Sequence, residues 1–469
     1  MNKLLKSYLV PHPPIIVPEI GMGEERNARN TIEAMEEIAD SISRDKPDSI
    51  ILITPHGPVF SDAIAVGVQE MFRGTFGRFG KPDLSLALEG NLDLTFRIME
   101  EAAREGIAVV SLDSATSRRY GINTELDHGA LVPLYFVNRK YTEFKLVHIT
   151  YGMLPNLELY RFGNCAKKAV ESGNERVSIV CSGDLSHRLK KGAPAGYSER
   201  GREFDEKLVM HIKNMDTPSI IEMDESLVEE AGECGYRSVL ILFGILDGYD
   251  VDVSVLSYEG PFGVGYCVAE FLPGRRNLER EYINILESRG KSKMQKVREN
   301  EDVYVRLARK ALETYITEGR VIGVPEGLPP EMTQRKAGVF VSIKKNGKLR
   351  GCIGTISAAT GSISEEIIHN AISAGTKDPR FYQVEDEELN ELVYSVDVLA
   401  EPEPVDTIEQ LDAKRYGVIV KSGRRSGLLL PDLEGVETPE DQVRIALQKA
   451  GINVTEPYTL ERFEVIRHR

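Results

Sequence analysis

Four histidines in this chain sit where a side chain that does chemistry would be placed. His12 ends the run Tyr8-Leu9-Val10-Pro11-His12-Pro13, and His56 ends Leu52-Ile53-Thr54-Pro55-His56-Gly57. Each follows a short apolar segment and precedes a chain-breaking Pro or Gly. That is the pattern of a buried strand that stops and throws an imidazole off its carboxyl end. In an open α/β sheet, ligands and metals collect at that edge. A third strand-like segment, Arg176 to Val180, leads into Cys181-Ser182-Gly183-Asp184-Leu185-Ser186-His187, and His128 lies in Asp127-His128-Gly129-Ala130.

Two imidazoles and one anion on one face of a metal leave positions open for substrate and O₂, the arrangement of non-haem Fe(II) sites. His12 and His56 are the candidate imidazole ligands. Glu233 and Cys234, in Gly232-Glu233-Cys234-Gly235-Tyr236-Arg237, are both acceptable anions at the start of an apolar helix. Their simpler roles are a first-turn acid and a small buried residue. Fe(II) suits the set, and a Cys234 thiolate would shift preference towards softer metals, with copper and zinc as candidates. Proton removal and return at a bound substrate falls to His187 and His128, whose alternative is a hydrogen-bonded place in the core. Asp127 or Asp184 could orient a neighbouring imidazole.

The elements that must position these groups are an α/β domain over 1–273, with a largely parallel sheet covered by helices. Ile32, Met35, Ile38 and Ile42 mark an amphipathic helix, and strands are expected at Ser49 to Thr54, Lys145 to Thr150, Arg176 to Cys181 and Val251 to Tyr258. Helices are expected at Leu92 to Glu105, Leu157 to Ser172, Glu199 to Lys213 and Cys234 to Leu246. Residues 274–300 mix Arg, Lys and Glu with few apolar side chains and read as a charged linker. Residues 301–469 change pattern to α+β with mostly antiparallel strands, signalled by the Asn346-Gly347 hairpin turn and the Ser362 to Glu365 capping-box spacing.

The second half carries its own conspicuous run, Leu349-Arg350-Gly351-Cys352-Ile353-Gly354. Gly351 and Gly354 on a strand would admit a close backbone or ligand. Cys352 is a candidate nucleophile without a histidine nearby in sequence, or else a small buried strand residue. Arg350 completes the motif, which is expected to line a surface groove.

The whole chain has 469 residues and a formal net charge of −15. That excess of acid disfavours a general nucleic-acid binder. Five cysteines without regular spacing fit a reducing compartment, and the apolar runs are too short to span a bilayer. A cytoplasmic protein is expected.

The histidine motifs together resemble the class III extradiol ring-cleavage dioxygenases of LigB type and the related Memo family. The resemblance implies that His12 and His56 bind iron, that His187 is the acid–base histidine, and that His128 is a second active-site histidine. The dioxygenases use glutamate as third ligand, whereas Memo proteins place a cysteine in a context like Cys234-Gly235-Tyr236-Arg237. The Arg350 to Gly354 run and Asp378-Pro379-Arg380-Phe381 resemble the AMMECR family. The fusion resembles the two-domain protein of the AmmeMemoRadiSam system, which implies a radical-SAM protein as partner. Three functions follow as expectations: an extradiol-type oxygenase acting on a catechol-like diol, a metal- and partner-binding protein without turnover, or a metal-dependent hydrolase.

Overall fold

The computed structural model describes residues 3–345, 347–433 and 435–469, with the backbone alone for Ser114, Glu287, Lys291 and Lys293. It divides into two compact units, Met1–Ser288 and Arg289–Arg469.

The strands of the first unit are β1 (Leu4–Val10), β2 (Ser49–Thr54), β3 (Ile64–Gly67), β4 (Met71–Phe76), β5 (Lys81–Glu89), β6 (Val109–Leu112), β7 (Lys145–Thr150), β8 (Val177–Ser182), β9 (Tyr249–Glu259) and β10 (Tyr266–Arg276). All but β4 and β5 form one sheet in the order β6-β3-β7-β2-β8-β1-β10-β9. The centre, β7-β2-β8-β1, is parallel, as is the β3–β6 pair. The β3–β7, β1–β10 and β10–β9 pairings are antiparallel, so the sheet is mixed around a parallel core.

Burial explains why the central strands read as unbroken apolar runs. Every residue of β2 and β8 is buried. Alternate side chains feed two cores: Leu9, Ile51, Ile53 and Ile179 pack on one face, Tyr8, Val10, Ile50 and Leu52 on the other. The Asn156–Ser172 and Tyr236–Ile245 helices cover the first face, the Arg29–Asp45 and His128–Asn138 helices the second. Each large apolar side chain removed from water here contributes about 1.5–3 kcal/mol.

The segment expected as a charged linker, 274–300, is largely regular. β10 continues to Arg276, which pairs with Tyr249, and Tyr282–Asn300 is a helix. The side chains of Glu287, Lys291 and Lys293, part of the linker expectation, lie outside the described residues. The second unit contains β11 (Val339–Lys345), β12 (Lys348–Gly354), β13 (Leu392–Leu399), β14 (Glu403–Val405), β15 (Tyr416–Ser422), β16 (Arg425–Leu429) and β17 (Thr459–His468). They run β12-β11-β13-β17-β15-β16, with β14 on β17, all antiparallel. Val339, Val341, Ile343 and Val396 face the Val303–Glu318 and Ile363–Thr376 helices in a shared core. Asn346 lies outside the described residues, while its neighbour Gly347 has φ +79°, the left-handed region a tight hairpin requires. Ser362 caps its helix by accepting from the Glu365 N–H.

Candidate metal centre and the second-unit motif

Because β2, β8 and β1 are adjacent and parallel, their carboxyl ends open side by side. His12 follows β1, His56 follows β2, and the Gly183–His187 loop leaves β8 between them. The His12 and His56 Nε2 atoms are 2.9 Å apart. Two nitrogens about 2.1 Å from a shared ion at a right angle would be separated by about 3 Å. The ring of His128, first residue of its helix, stacks on His56 at 4.2 Å and lies 5.5 Å from His12. Ligand atoms of all three histidines fall within 4.8 Å of one another.

Hydrogen bonds fix which nitrogen of His12 is free. Its Nδ1 is 2.9 Å from Ser182 Oγ, whose hydroxyl donates to the Gly129 carbonyl at 2.5 Å. A hydroxyl already donating there accepts from Nδ1–H, which leaves the Nε2 lone pair directed at the cluster. Burial lowers the pKa of all three imidazoles, His12 well below the ordinary value and His56 to about 3. They are neutral at physiological pH, the state that coordinates a metal.

The two candidate anions have different neighbours. Cys234 Sγ is 3.6 Å from His12 Nε2. The buried Glu233 carboxylate instead accepts from the Tyr236 N–H at 2.6 Å and faces Arg237 at 3.7 Å, capping the helix that begins at Tyr236. That helix starts two residues later than expected, which leaves Cys234 in the preceding turn. The turn packs on the β8 loop through two glycines: a Cβ on Gly183 would fall 2.2 Å from Gly235 Cα. The Asp184 N–H then donates to Cys234 Sγ at 3.3 Å. Burial pushes the Cys234 thiol up, with Asp184 and Glu233 adding to the effect, and raises Glu233 to about 7.

Asp184 accepts from the His12 backbone N–H at 2.9 Å, and burial raises its pKa to about 6. Asp127 caps the helix of His128, accepting from Gly129 and Ala130, and takes a hydrogen bond from Thr54. Both carboxylates therefore place histidines through backbone or helix end. His187 is tied by its N–H to the Ala231 carbonyl at 3.1 Å, and its Nδ1 is buried without a partner among the described residues.

Sequence reasoning missed three participants. Ser182 sets the His12 tautomer. Tyr151 donates to the Cys234 carbonyl at 3.1 Å. Phe79, at the tip of the β4–β5 hairpin, meets the His128 ring edge-on at 5.7 Å. A strand-end serine beside an apolar run was a readable signal for the first, whereas nothing local distinguishes the other two.

In the second unit, β12 is the edge of its sheet. The Cys352 N–H donates to Asp378 at 2.9 Å, and its carbonyl accepts from Arg380 at 3.3 Å. Asp378 and Arg380 are themselves ion-paired at 2.7 Å. Two side chains thus close the open edge of the strand as a neighbouring strand would. Arg350 clamps the next stretch with a bidentate bond to Glu388, at 3.0 and 2.8 Å. The glycines serve internal contacts: a Cβ on Gly351 would lie 2.1 Å from the Ala374 carbonyl, and one on Gly354 2.2 Å from Phe340. Cys352 accepts from the Ser342 hydroxyl at 3.1 Å, and burial pushes its thiol up, which disfavours a thiolate nucleophile. Cys352 and Gly354 line a cavity of about 1290 Å³.

Residues 6–269 match the model of the catalytic LigB subunit of aromatic ring-opening dioxygenase, and residues 305–468 match the AMMECR1 model. A protein of Clostridium acetobutylicum is 47% identical over 463 residues, covering 98% of each chain. A Thermotoga maritima protein is 48% identical over 171 residues, 36% of this chain and 98% of its own. A solved structure of an uncharacterised Pyrococcus horikoshii protein is 34% identical, covering 35% of this chain and 88% of its own with TM-score 0.33.

Proposed function

The chain belongs to the family of the catalytic LigB subunit of aromatic ring-opening dioxygenases, and from that premise we propose that its first unit is a non-haem iron-dependent oxygenase acting on a catechol-like diol. The observation that supports this is the convergence of His12 and His56, each just past the carboxyl end of a parallel strand, with His128 at the start of its helix, all three with lowered pKa and ligand atoms within 4.8 Å of one another. His12 and His56 hold the ion in this reading, and Cys234 is the third ligand, because it rather than Glu233 neighbours His12. Bound Fe(II) supplies chelation of the diol and activation of O₂. His128, stacked on His56 beside Phe79, orients an aromatic substrate or contributes a further nitrogen. His187 holds and returns the proton of the diol, using the ring nitrogen that has no partner among the described residues. The resemblance of the two-unit chain to the AmmeMemoRadiSam protein makes a radical-SAM protein its proposed partner.

The test is O₂ uptake with catechol after anaerobic loading with Fe(II). His187→Ala should retain metal and lose about 10²–10⁴-fold in turnover; undiminished turnover would remove the acid–base role.

Cys234 favours a second reading, a metal-binding protein without turnover, since a thiolate suits copper or zinc. Cys234→Ala should lower metal affinity by at least about 100-fold, while Glu233→Gln retains metal. Metal analysis after dialysis separates the variants, and equal retention would discard Cys234 as ligand. Tight copper or zinc without O₂ uptake would favour the second reading over the first.

A further inference from the structure

The cavity of about 1290 Å³ in the second unit exceeds the roughly 300–1000 Å³ of a typical small-molecule pocket. Its floor is the face of β11 that turns away from the helical core, carrying Phe340, Ser342 and Lys344. Ser342 stands opposite Cys352 in the β11–β12 register, and Lys344 lies two residues further along the same face. Arg380 reaches this end through its bond to the Cys352 carbonyl. Apolar walls come from Ile356, Leu428 and Leu430.

Charge decides what such a cavity suits. Two of the acids that line it are already paired: Glu301 with Arg309 at 2.8 Å, and Asp397 with Arg467 at 2.9 Å. Asp432 lies only 4.0 Å from Arg467. Lys344 and Lys449 also line the cavity, and neither has an ion-pair partner among the described residues. An accessible cationic surplus over apolar walls, in a chain of net charge −15, fits one compact anion rather than a polyanion, which the rest of the surface would repel.

We propose that this cavity binds a small organic anion with an apolar body, its charged head at the Lys344, Ser342 and Arg380 end and its body against Phe340, Leu428 and Leu430. This site is independent of the metal centre. The Asp378–Arg380 pair then has two consequences: it closes the strand edge and fixes Arg380 at the cavity wall.

The probe is 8-anilinonaphthalene-1-sulfonate, an apolar-bodied sulfonate whose fluorescence rises on binding, titrated into the full chain. Octanoate should displace it, and octanol at equal concentration should not. Lys344→Glu should weaken probe binding about tenfold, the loss of one charge-assisted contact, and Lys344→Arg should restore it. Lys344 is exposed and has no ion-pair partner among the described residues, so neither change is expected to disturb folding, which circular dichroism checks. Alkylation of Cys352 by N-ethylmaleimide, followed by mass spectrometry in a Cys234→Ser background, locates the probe. Occupancy of the cavity should slow modification several-fold. Unchanged Cys352 alkylation, equal probe affinity in Lys344→Glu, or equal displacement by octanol would overturn the proposal. So would displacement by a single-stranded oligonucleotide at concentrations where octanoate fails.

Discussion

Asp378 shows how much one side chain carries in the second unit. Its carboxylate is ion-paired with Arg380 and receives the Cys352 N–H, and these bonds hold its pKa well below the ordinary carboxylate range. A depressed native pKa means that the unfolded chain binds the proton more readily. The stability it contributes is therefore fully present above about pH 4 and is lost as pH falls through the native value. Asp378→Ala should cost about 1–3 kcal/mol at pH 6. Urea unfolding of wild type and variant should converge as the pH drops below about 4, and a gap that persists in acid would assign the loss to packing instead. At the metal centre, by contrast, the individual residues are interpretable only together. His12, His56 and Cys234 each have an ordinary explanation alone; adjacency makes them a candidate site.

At the scale of elements, the contact between Gly183 and Gly235 joins the β8 loop to the turn that bears Cys234. A methyl group on Gly183 would meet backbone, which cannot rotate away as a side chain can. Gly183→Ala should destabilise the first unit by about 1–3 kcal/mol or more and reduce retained metal, measured by thermal unfolding and metal analysis together. An unchanged melting temperature would show that the two segments separate freely. The same scale explains what the sequence made legible. β2, β7 and β8 were readable because strands buried on both faces are continuous apolar runs, and the Arg29–Asp45 helix because it has one buried stripe. The His128–Asn138 helix was not, because it is apolar on nearly every side and contains Pro133, which erases the helical period. The β4–β5 hairpin, which brings Phe79 to His128, was hidden by Gly74 and Arg73 within β4. The choice between Glu233 and Cys234 was beyond local pattern altogether. It turns on neighbours distant in sequence: Glu233 accepts from the first N–H of the helix beginning at Tyr236, whereas Cys234 Sγ lies 3.6 Å from His12 Nε2.

For the whole molecule, the division at Ser288 lies inside the Tyr282–Asn300 helix, whose cationic side chains include Arg289 and Lys296. Each unit has its own hydrophobic core. Trypsin should therefore cut first in this helix and leave two fragments that melt cooperatively, the larger retaining the metal. Rapid cleavage throughout either unit would contradict that independence.

The strand order has a further consequence, in time rather than in space. β1 precedes every other strand described, yet it pairs with β8 and β10, and His12 finds Cys234 only across 222 residues of chain. At the usual pace of synthesis, roughly 10–40 s separate the emergence of those two side chains. For most of that interval, until β8 is complete at Ser182, β1 has no partner on either side, and its apolar residues must wait or be shielded. The earliest-made of these site residues is thus among the last to be joined by its neighbours, and the cluster with Cys234 exists only once most of the first unit has been made.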